Sequence, residues 1–238
     1  MLSATQSAVS MSLEFYTSVL TRTAWCYVGK KRLEKGIAEY KERHPGSNDT
    51  FAINWFPFYL DPTAPKSIDK QERYESKFGK ERTAMMQQRL SQIGHAEGIN
   101  FKYGGNTGNT RDSHRLIQLG KTKSPQLQTR VIEELFAAYF ENEKDITTQE
   151  VLLEAGVKAG LDEKEAMEWL ASDKGGKEVD AEVRDAVKQN ISGVPNFVVN
   201  DAMEVGGAQD PETFVQIFER LKKQGGAVQS VSMNGNSC

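Results

Sequence analysis

The spacing of apolar positions changes period twice along the first part of the chain, and each change predicts a different kind of element. The segment SLEFYTSVL predicts a short strand over residues 12–20. After Cys26 the apolar residues fall on one face of a helix, which is expected to end at His44-Pro45-Gly46. The aromatic and β-branched run 51–60 then predicts a second strand, with Pro57 at its edge or end.

The middle of the chain lacks strand patterns, and helical spacing predominates from about residue 67 to residue 190. Six helices are predicted there, over residues 74–94, 113–119, 127–142, 148–159, 163–171 and 181–189. Thr147 or Thr148 is the expected N-cap of the fourth helix. The glycine- and asparagine-rich run 98–110 lacks the Gly-Lys-Ser/Thr ending of a phosphate-binding loop, so we expect a flexible connection.

Strand patterns return near the end of the chain. Two short strands are predicted over 197–200 and 203–205, and a final helix is expected to begin with Asp210 as N-cap and Pro211 at its first position. The order is β-α-β, a helical block, and then β-β-α. It predicts an α/β, thioredoxin-like fold with a large all-helical insertion between strands two and three. The thioredoxin-like domain is predicted to comprise residues 12–66 and 191–223. The helical insertion is predicted over residues 67–190 and a flexible tail over residues 224–238.

Composition and charge narrow the classes of function. The chain has 238 residues and a formal net charge of -3, so it lacks the basic excess of nucleic-acid-binding proteins. We find neither a membrane-spanning apolar run nor a secretory signal, and we expect a cytoplasmic protein with no membrane partner. The two cysteines do not suffice for a disulfide framework. No histidine or cysteine cluster has metal-ligand spacing, so no metal is expected.

Cys26 follows the predicted start of the first helix and is the candidate reactive residue. In a C-x-x-C motif the first cysteine lies at the helix N-terminus, where unpaired N–H groups and the helix dipole stabilise a thiolate. Here Thr23 occupies that position. A threonine hydroxyl does not ionise at neutral pH and cannot form a disulfide. Ordinary dithiol exchange is therefore disfavoured, and Cys26 alone is limited to mixed disulfides.

A set of ordered motifs carries a family resemblance that covers residues 13–221. These motifs are WCYVGKKRLEKGI, FPFYLDP, NTRDSHRL, AYFENEKDI, the Gly-Leu pair at 160–161, GVPNFVVN and GGAQDPETF. Together they resemble the DsbA-like thioredoxin proteins of the FrnE type, a group associated with polyketide biosynthesis and cytosolic disulfide exchange. More remotely, the chain is similar to 2-hydroxychromene-2-carboxylate isomerase and kappa-class glutathione transferase.

The resemblance implies specific roles for the residues at the start of the first helix. The FrnE-type pattern is C-P-W-C, whereas this chain has Thr23-Ala24-Trp25-Cys26. In the isomerase and the kappa-class enzyme, a serine at the first position hydrogen-bonds the sulfur of glutathione. Thr23 offers the same O–H donor, and Val194 beside a cis Pro195 would offer its backbone to the peptide part. The Ser-Asp pair that holds the glutamyl end in the kappa class is replaced by residues 206–209, Gly-Gly-Ala-Gln.

The leading hypothesis is a glutathione-dependent isomerase or transferase of secondary metabolism, acting on an aromatic or polyketide-derived small molecule. Thr23 would orient the sulfur, Cys26 would line the site, Trp25 would form the lip of the cleft, and the insertion would supply one wall. One alternative is a thiol-disulfide oxidoreductase limited to monothiol chemistry at Cys26. Another is a non-catalytic binding protein of thioredoxin fold. A homodimer is compatible with the sequence.

Each candidate residue also has a purely structural interpretation. Thr23 is equally explained as an N-cap, Trp25 as simple packing, and Cys26 as a small buried apolar residue. Pro195 is expected to have a structural role as well as shaping the site. For His114, a capping or core role is favoured over that of a general base.

Overall fold

A computed structural model describes residues 10–19 and 22–233 of the chain. The strands are β1 (Ser12–Val19), β2 (Thr50–Pro57), β3 (Ile68–Asp69), β4 (Asn106–Thr107), β5 (Asn196–Val199) and β6 (Met203–Gly206). The helices are α1 (Ala24–Arg43), α2 (Lys70–Phe78), α3 (Lys80–Ala96), α4 (Arg111–Lys123), α5 (Pro125–Phe136), α6 (Gln149–Ala159), α7 (Glu163–Leu170), α8 (Gly176–Lys188) and α9 (Pro211–Met233). A π-helical turn, Ala137–Glu141, continues α5.

The central sheet has four strands in the order β2-β1-β5-β6. β1 runs parallel to β2, and the connection between them is α1, as the sequence pattern predicts. β5 and β6 are antiparallel to their neighbours, with Phe15 opposite Val199 and Phe197 opposite Val205. This mixed sheet, with α1 and α9 packed together, confirms the predicted thioredoxin-like fold.

The insertion differs from the prediction in two details. It is not entirely helical, because β3 and β4 form a short antiparallel pair within it. The predicted helix over residues 74–94 is in fact two helices, α2 and α3, separated by Gly79 at φ 81° and ψ 153°. That backbone conformation is essentially restricted to glycine, and it ends α2 and redirects the chain into α3.

The end of the chain also differs from the prediction. α9 begins at Pro211 as expected, but it continues to Met233, so the predicted tail from residue 224 is helical over most of its length. Residues 234–238, including Cys238, lie outside the described residues. None of the helices in the described ranges combines the length and apolar character that a membrane span requires.

Two clusters of buried side chains hold the fold together. One lies between the sheet and the α1–α9 pair, and includes Phe15, Leu33, Tyr40, Phe214 and Phe218. The other joins the first turns of α1 to the helices of the insertion, because it combines Cys26, Tyr27 and Val28 with residues of α4 to α7. The insertion is therefore anchored on the N-terminal end of α1, where the candidate site lies.

The cis peptide bond between Val194 and Pro195, which the family resemblance implies, is present. Pro195 is buried and packs against α1 at Gly29. A Cβ atom at Gly29 would lie 2.8 Å from Cγ of Pro195, so glycine is what allows this close approach.

Candidate functional site

Thr23 occupies the N-cap position of α1, with extended backbone angles of φ -110° and ψ 123°. Its side chain makes no capping hydrogen bond, although its carbonyl oxygen accepts one from Cys26 N at 3.0 Å. By contrast, the N-cap side chains Ser124, Thr148 and Asp162 each accept a backbone N–H of their own helix. The Thr23 hydroxyl thus lies at a helix N-terminus without performing the usual structural task of a capping residue.

Cys26 lies within the protein interior. Its exposed fraction is 1%, and it packs in the cluster that joins α1 to the insertion. A thiol must be reached by its reaction partner to act as a nucleophile, and reactive cysteines are partly exposed. The structure therefore agrees with the interpretation of Cys26 as a small buried apolar residue, and Cys26 is not among the residues that line the neighbouring cleft.

A cleft of about 850 Å³ opens beside Thr23, and we call it the Thr23 cleft. One side is formed by residues 22–25 at the start of α1, and the exposed Trp25 lies on this side. The opposite side comes from the insertion, through residues that belong to α2 and α3: Arg73, Tyr74, Lys77, Phe78, Met86 and Leu90. The insertion thus supplies a wall of the cleft, as the sequence hypothesis requires.

The Thr23 cleft carries more positive than negative charge. Arg22, Arg73 and Lys77 line it, and Asp61 is the only acidic residue among the lining residues. Asp61 forms an ion pair with Arg73. Hydrogen bonding from Thr63, followed by the nearby arginines, holds the pKa of Asp61 below its usual value. The remaining charge is therefore cationic and favours an anionic ligand.

Arg22 provides a second indication of an anion. Its Nε atom is buried and, among the described residues, has no hydrogen-bond partner. A buried guanidinium donor without a partner is costly, because it has lost water without gaining an acceptor. An anionic ligand in the Thr23 cleft would supply that acceptor.

A second cavity adjoins the Thr23 cleft. It is smaller than the cleft, and we call it the Lys70 pocket. The two cavities share Ala24, Tyr74, Met86 and Leu90 in their lining, so they lie side by side between α1 and the helices α2 and α3. Beyond the shared residues, the pocket is lined largely by aromatic rings and contains Lys70 and Thr83.

The other residues named from the sequence lie away from the Thr23 cleft. Val194 is half-buried and packs against the cluster that contains Cys26, whereas Pro195 contacts Gly29; neither lines the cleft. In the 206–209 stretch, the Gln209 side chain donates to the Gly206 carbonyl at 2.7 Å. His114 is buried, and its Nδ1 lies 2.7 Å from the Thr110 carbonyl oxygen, as expected for a core histidine.

The residues of the Lys70 pocket were not identified from the sequence. Lys70, Tyr74 and Phe78 recur at helical spacing in α2, which places them on one face. That spacing was the available signal, but it does not show which element the face contacts. Within the described residues, no group of three or more histidine, cysteine, aspartate or glutamate side chains is arranged to hold a metal ion.

Comparison with known proteins places this geometry in a family. The family profile of the DSBA-like thioredoxin domain matches residues 12–219. Among solved structures, the chain is similar to a probable DsbA oxidoreductase from Streptomyces coelicolor, with 30% identity and a TM-score of 0.74. That alignment covers 88% of this chain and 89% of the other. No curated protein matches the chain.

Two more distant structures share the fold. The 2-hydroxychromene-2-carboxylate isomerase aligns with a TM-score of 0.62 at 16% identity, over 92% of this chain and 99% of that one. The cytosolic disulfide reductase DsbM from Pseudomonas aeruginosa, solved with glutathione, aligns with a TM-score of 0.58 at 12% identity, over 88% of this chain and 99% of that one.

Proposed function

The chain belongs to the DsbA-like thioredoxin domain family, and from this premise we propose that it is a glutathione-dependent isomerase or transferase. Its substrate would be an aromatic or polyketide-derived small molecule bound beside the start of α1. The family contains oxidoreductases and is related in fold to an isomerase, so the family alone does not choose between these chemistries. The choice rests on Thr23 and Cys26.

The observation that carries the proposal is the Thr23 hydroxyl, which lies at the N-terminus of α1 and makes no capping hydrogen bond. In this position the hydroxyl can donate to a bound thiolate. The N-terminus of α1 favours the same negative charge through its dipole and its first-turn N–H groups. The site is thus suited to hold a thiolate that the protein does not itself provide.

The residues of the Thr23 cleft fit the sulfur end and the carboxylates of glutathione. When bound, glutathione supplies a thiolate nucleophile. Thr23 would orient the sulfur, while the buried Nε–H of Arg22, which has no acceptor among the described residues, would donate a hydrogen bond to a carboxylate. The exposed Trp25 would cover the outer end of the cleft. The DsbM structure, which was solved with glutathione, supports the choice of this ligand over other small thiols.

The alternative of monothiol chemistry at Cys26 gains no support from the geometry. Cys26 is 1% exposed and is packed among apolar side chains, so a disulfide substrate has no route to its sulfur without local opening of the structure. The third hypothesis, a binding protein without catalysis, uses the same cleft and pocket. It differs only in requiring no glutathione.

Isothermal titration of glutathione tests the proposal directly. Thr23→Val removes the hydroxyl while keeping the shape of the side chain, and it is expected to weaken binding about tenfold or more, the factor for one hydrogen bond to a charged group. Thr23→Ser keeps the hydroxyl and should bind as the wild type does. Because Thr23 makes no capping bond, loss of a helix cap does not confound the comparison.

Two results would contradict the proposal. Equal affinity of the wild type and Thr23→Val for glutathione would show that the Thr23 hydroxyl does not contribute to glutathione binding. Failure of the wild type to bind glutathione, together with binding of apolar small molecules, would favour the non-catalytic binding protein instead.

A further inference from the structure

Lys70 is a buried ammonium group at the first position of α2, and it lines the Lys70 pocket with an exposed fraction of 4%. Its Nζ donates to the carbonyl oxygen of Tyr139 at 3.1 Å and lies 3.8 Å from the centre of the Tyr139 ring. An ammonium has three donors, and this carbonyl is its only hydrogen-bond acceptor among the described residues.

No aspartate or glutamate in the described part of the chain forms an ion pair with Lys70. Asp69, Glu143 and Asp145 act on it only at longer range. Buried charges in proteins are normally paired, because an unpaired charge bears the full cost of leaving water. By comparison, Lys30 is equally buried, but it contacts the carboxylates of Glu34 and Glu133 at 2.5 and 2.6 Å. Within the described residues, Lys70 therefore has no carboxylate beside it to balance its charge, whereas Lys30 has two.

Thr83 provides an independent observation in the same pocket. It is 3% exposed and lines the pocket, and within the described residues its buried Oγ1 has no hydrogen-bond partner. A threonine inside a helix usually bonds a backbone carbonyl or faces water. A buried hydroxyl that does neither is rare, and it indicates a polar group that the protein alone does not supply.

The rest of the Lys70 pocket is apolar and aromatic. Five aromatic rings of the insertion line it. They belong to Tyr74 of α2, to Phe101 and Tyr103 between α3 and β4, and to Tyr139 and Phe140 of the π-helical turn. Such a lining favours a flat apolar body, while Lys70 and Thr83 favour an anionic oxygen group.

We propose that the Lys70 pocket binds the carboxylate of a flat aromatic acid, with Lys70 as its counter-ion and Thr83 as a hydrogen-bond donor to it. The pocket adjoins the Thr23 cleft and shares four lining residues with it, so the inference rests on the proposed function and specifies its substrate class. The apolar body of the acid would lie along the shared residues Tyr74, Met86 and Leu90 towards Thr23.

The test compares 2-naphthoate with 2-naphthylmethanol, a neutral compound of similar shape, in the absence of glutathione. Fluorescence titration of the wild type should show about tenfold or more tighter binding of the carboxylate. Lys70→Met should abolish that preference while keeping the affinity for the alcohol. Thr83→Val should reduce the preference severalfold. Lys102→Met is the matched control, because Lys102 lines the same pocket but is exposed; the preference should be unchanged.

Two outcomes would overturn the proposal. In the first, the wild type binds 2-naphthoate and 2-naphthylmethanol equally, or Lys70→Met keeps the preference for naphthoate. In the second, Lys70→Met weakens glutathione binding and leaves naphthoate binding unchanged. That result would show that Lys70 pairs with a carboxylate of glutathione and not with that of an aromatic acid. Naphthoate binding is measured without glutathione and tests the Lys70 pocket. Glutathione binding to Thr23→Val is measured without naphthoate and tests the proposed function, so the failure of one proposal can be told from the failure of the other.

Discussion

Thr23 and Cys26 lie one helical turn apart, and what distinguishes them is access. Thr23 is half-buried and lines a cationic cleft, whereas Cys26 is enclosed among the side chains that attach the insertion to α1. The position that would carry an attacking thiol in a C-x-x-C motif carries a hydroxyl, and Cys26 is not among the residues that line the cleft. Thiol chemistry in the cleft would therefore need a sulfur other than that of Cys26.

The burial of Cys26 predicts slow modification by Ellman's reagent. In a Cys238→Ser background, which leaves Cys26 as the sole cysteine, we expect labelling of the folded protein about a hundredfold or more slower than labelling in denaturant. Cys26→Ala should keep wild-type affinity for glutathione, since Cys26 does not line the cleft. Rapid labelling of the folded protein at neutral pH would instead favour a reactive monothiol.

At the scale of elements, the wall of the cleft depends on the break between α2 and α3. The two helices contact one another and place Tyr74, Met86 and Leu90 opposite α1. A single straight helix over the same residues would carry part of this face away from α1. Gly79, which produces the break, is thus a residue that shapes the site without contacting it.

Gly79→Ala is expected to destabilise the protein by roughly 1–3 kcal/mol, the cost of placing a side chain at its backbone angles. A Cβ at Gly79 would have no atom within 4 Å, so the cost would come from backbone conformation and not from a clash. Gly46→Ala is the matched control, because it too has no atom within 4 Å, and its φ lies outside the positive range. Urea denaturation should show a change within about 0.5 kcal/mol for Gly46→Ala. Equal effects of the two substitutions would contradict this account.

The sequence predicted those elements whose signals are local. The apolar residues of β1, the aromatic and β-branched run of β2, the helix-ending His44-Pro45-Gly46 and the start of α9 at Pro211 are all local signals in the chain. The break at Gly79 was missed because a glycine in an otherwise helical pattern is also tolerated inside a helix. Thr23 was identified from its motif. The Lys70 pocket was not, because it forms only when α2 and α3 pack near residues that are distant along the chain, such as Ala24 and Tyr139.

At the scale of the whole molecule, the candidate site lies where the two parts of the fold meet. One apolar cluster packs the sheet against the α1–α9 pair, whereas the two cavities lie at the junction of α1 and the insertion. Lys70 is buried beside that junction and has no ion-pair partner in the described part of the chain. Its charge therefore lowers the stability of the fold, which is a common cost of a binding site.

This cost predicts a pH dependence of stability. Burial lowers the pKa of Lys70 from 10.5 to about 8, although Glu143, Asp145 and Asp69 act in the opposite direction. Below about pH 8 the side chain is charged in the folded and unfolded states, and the folded state bears the cost of desolvation. Between about 8 and 10.5 the unfolded state binds more protons, so the contribution of Lys70 to the free energy of unfolding rises with pH.

Lys70→Met should therefore raise the free energy of unfolding at neutral pH by roughly 2 kcal/mol. This gain is smaller than the desolvation cost that the lowered pKa implies, because the substitution also removes the hydrogen bond to the Tyr139 carbonyl. The gain over wild type should shrink as the pH rises from about 8 to 10.5. Taking the difference between the two proteins removes the contribution of buried tyrosines that do not contact Lys70, such as Tyr27 and Tyr40, whose raised pKa values also affect stability at high pH. Urea denaturation across this range, with Lys102→Met as the exposed control, measures the effect. A difference that does not change with pH would show that Lys70 bears no desolvation cost, and the proposed carboxylate site would lose its physical basis.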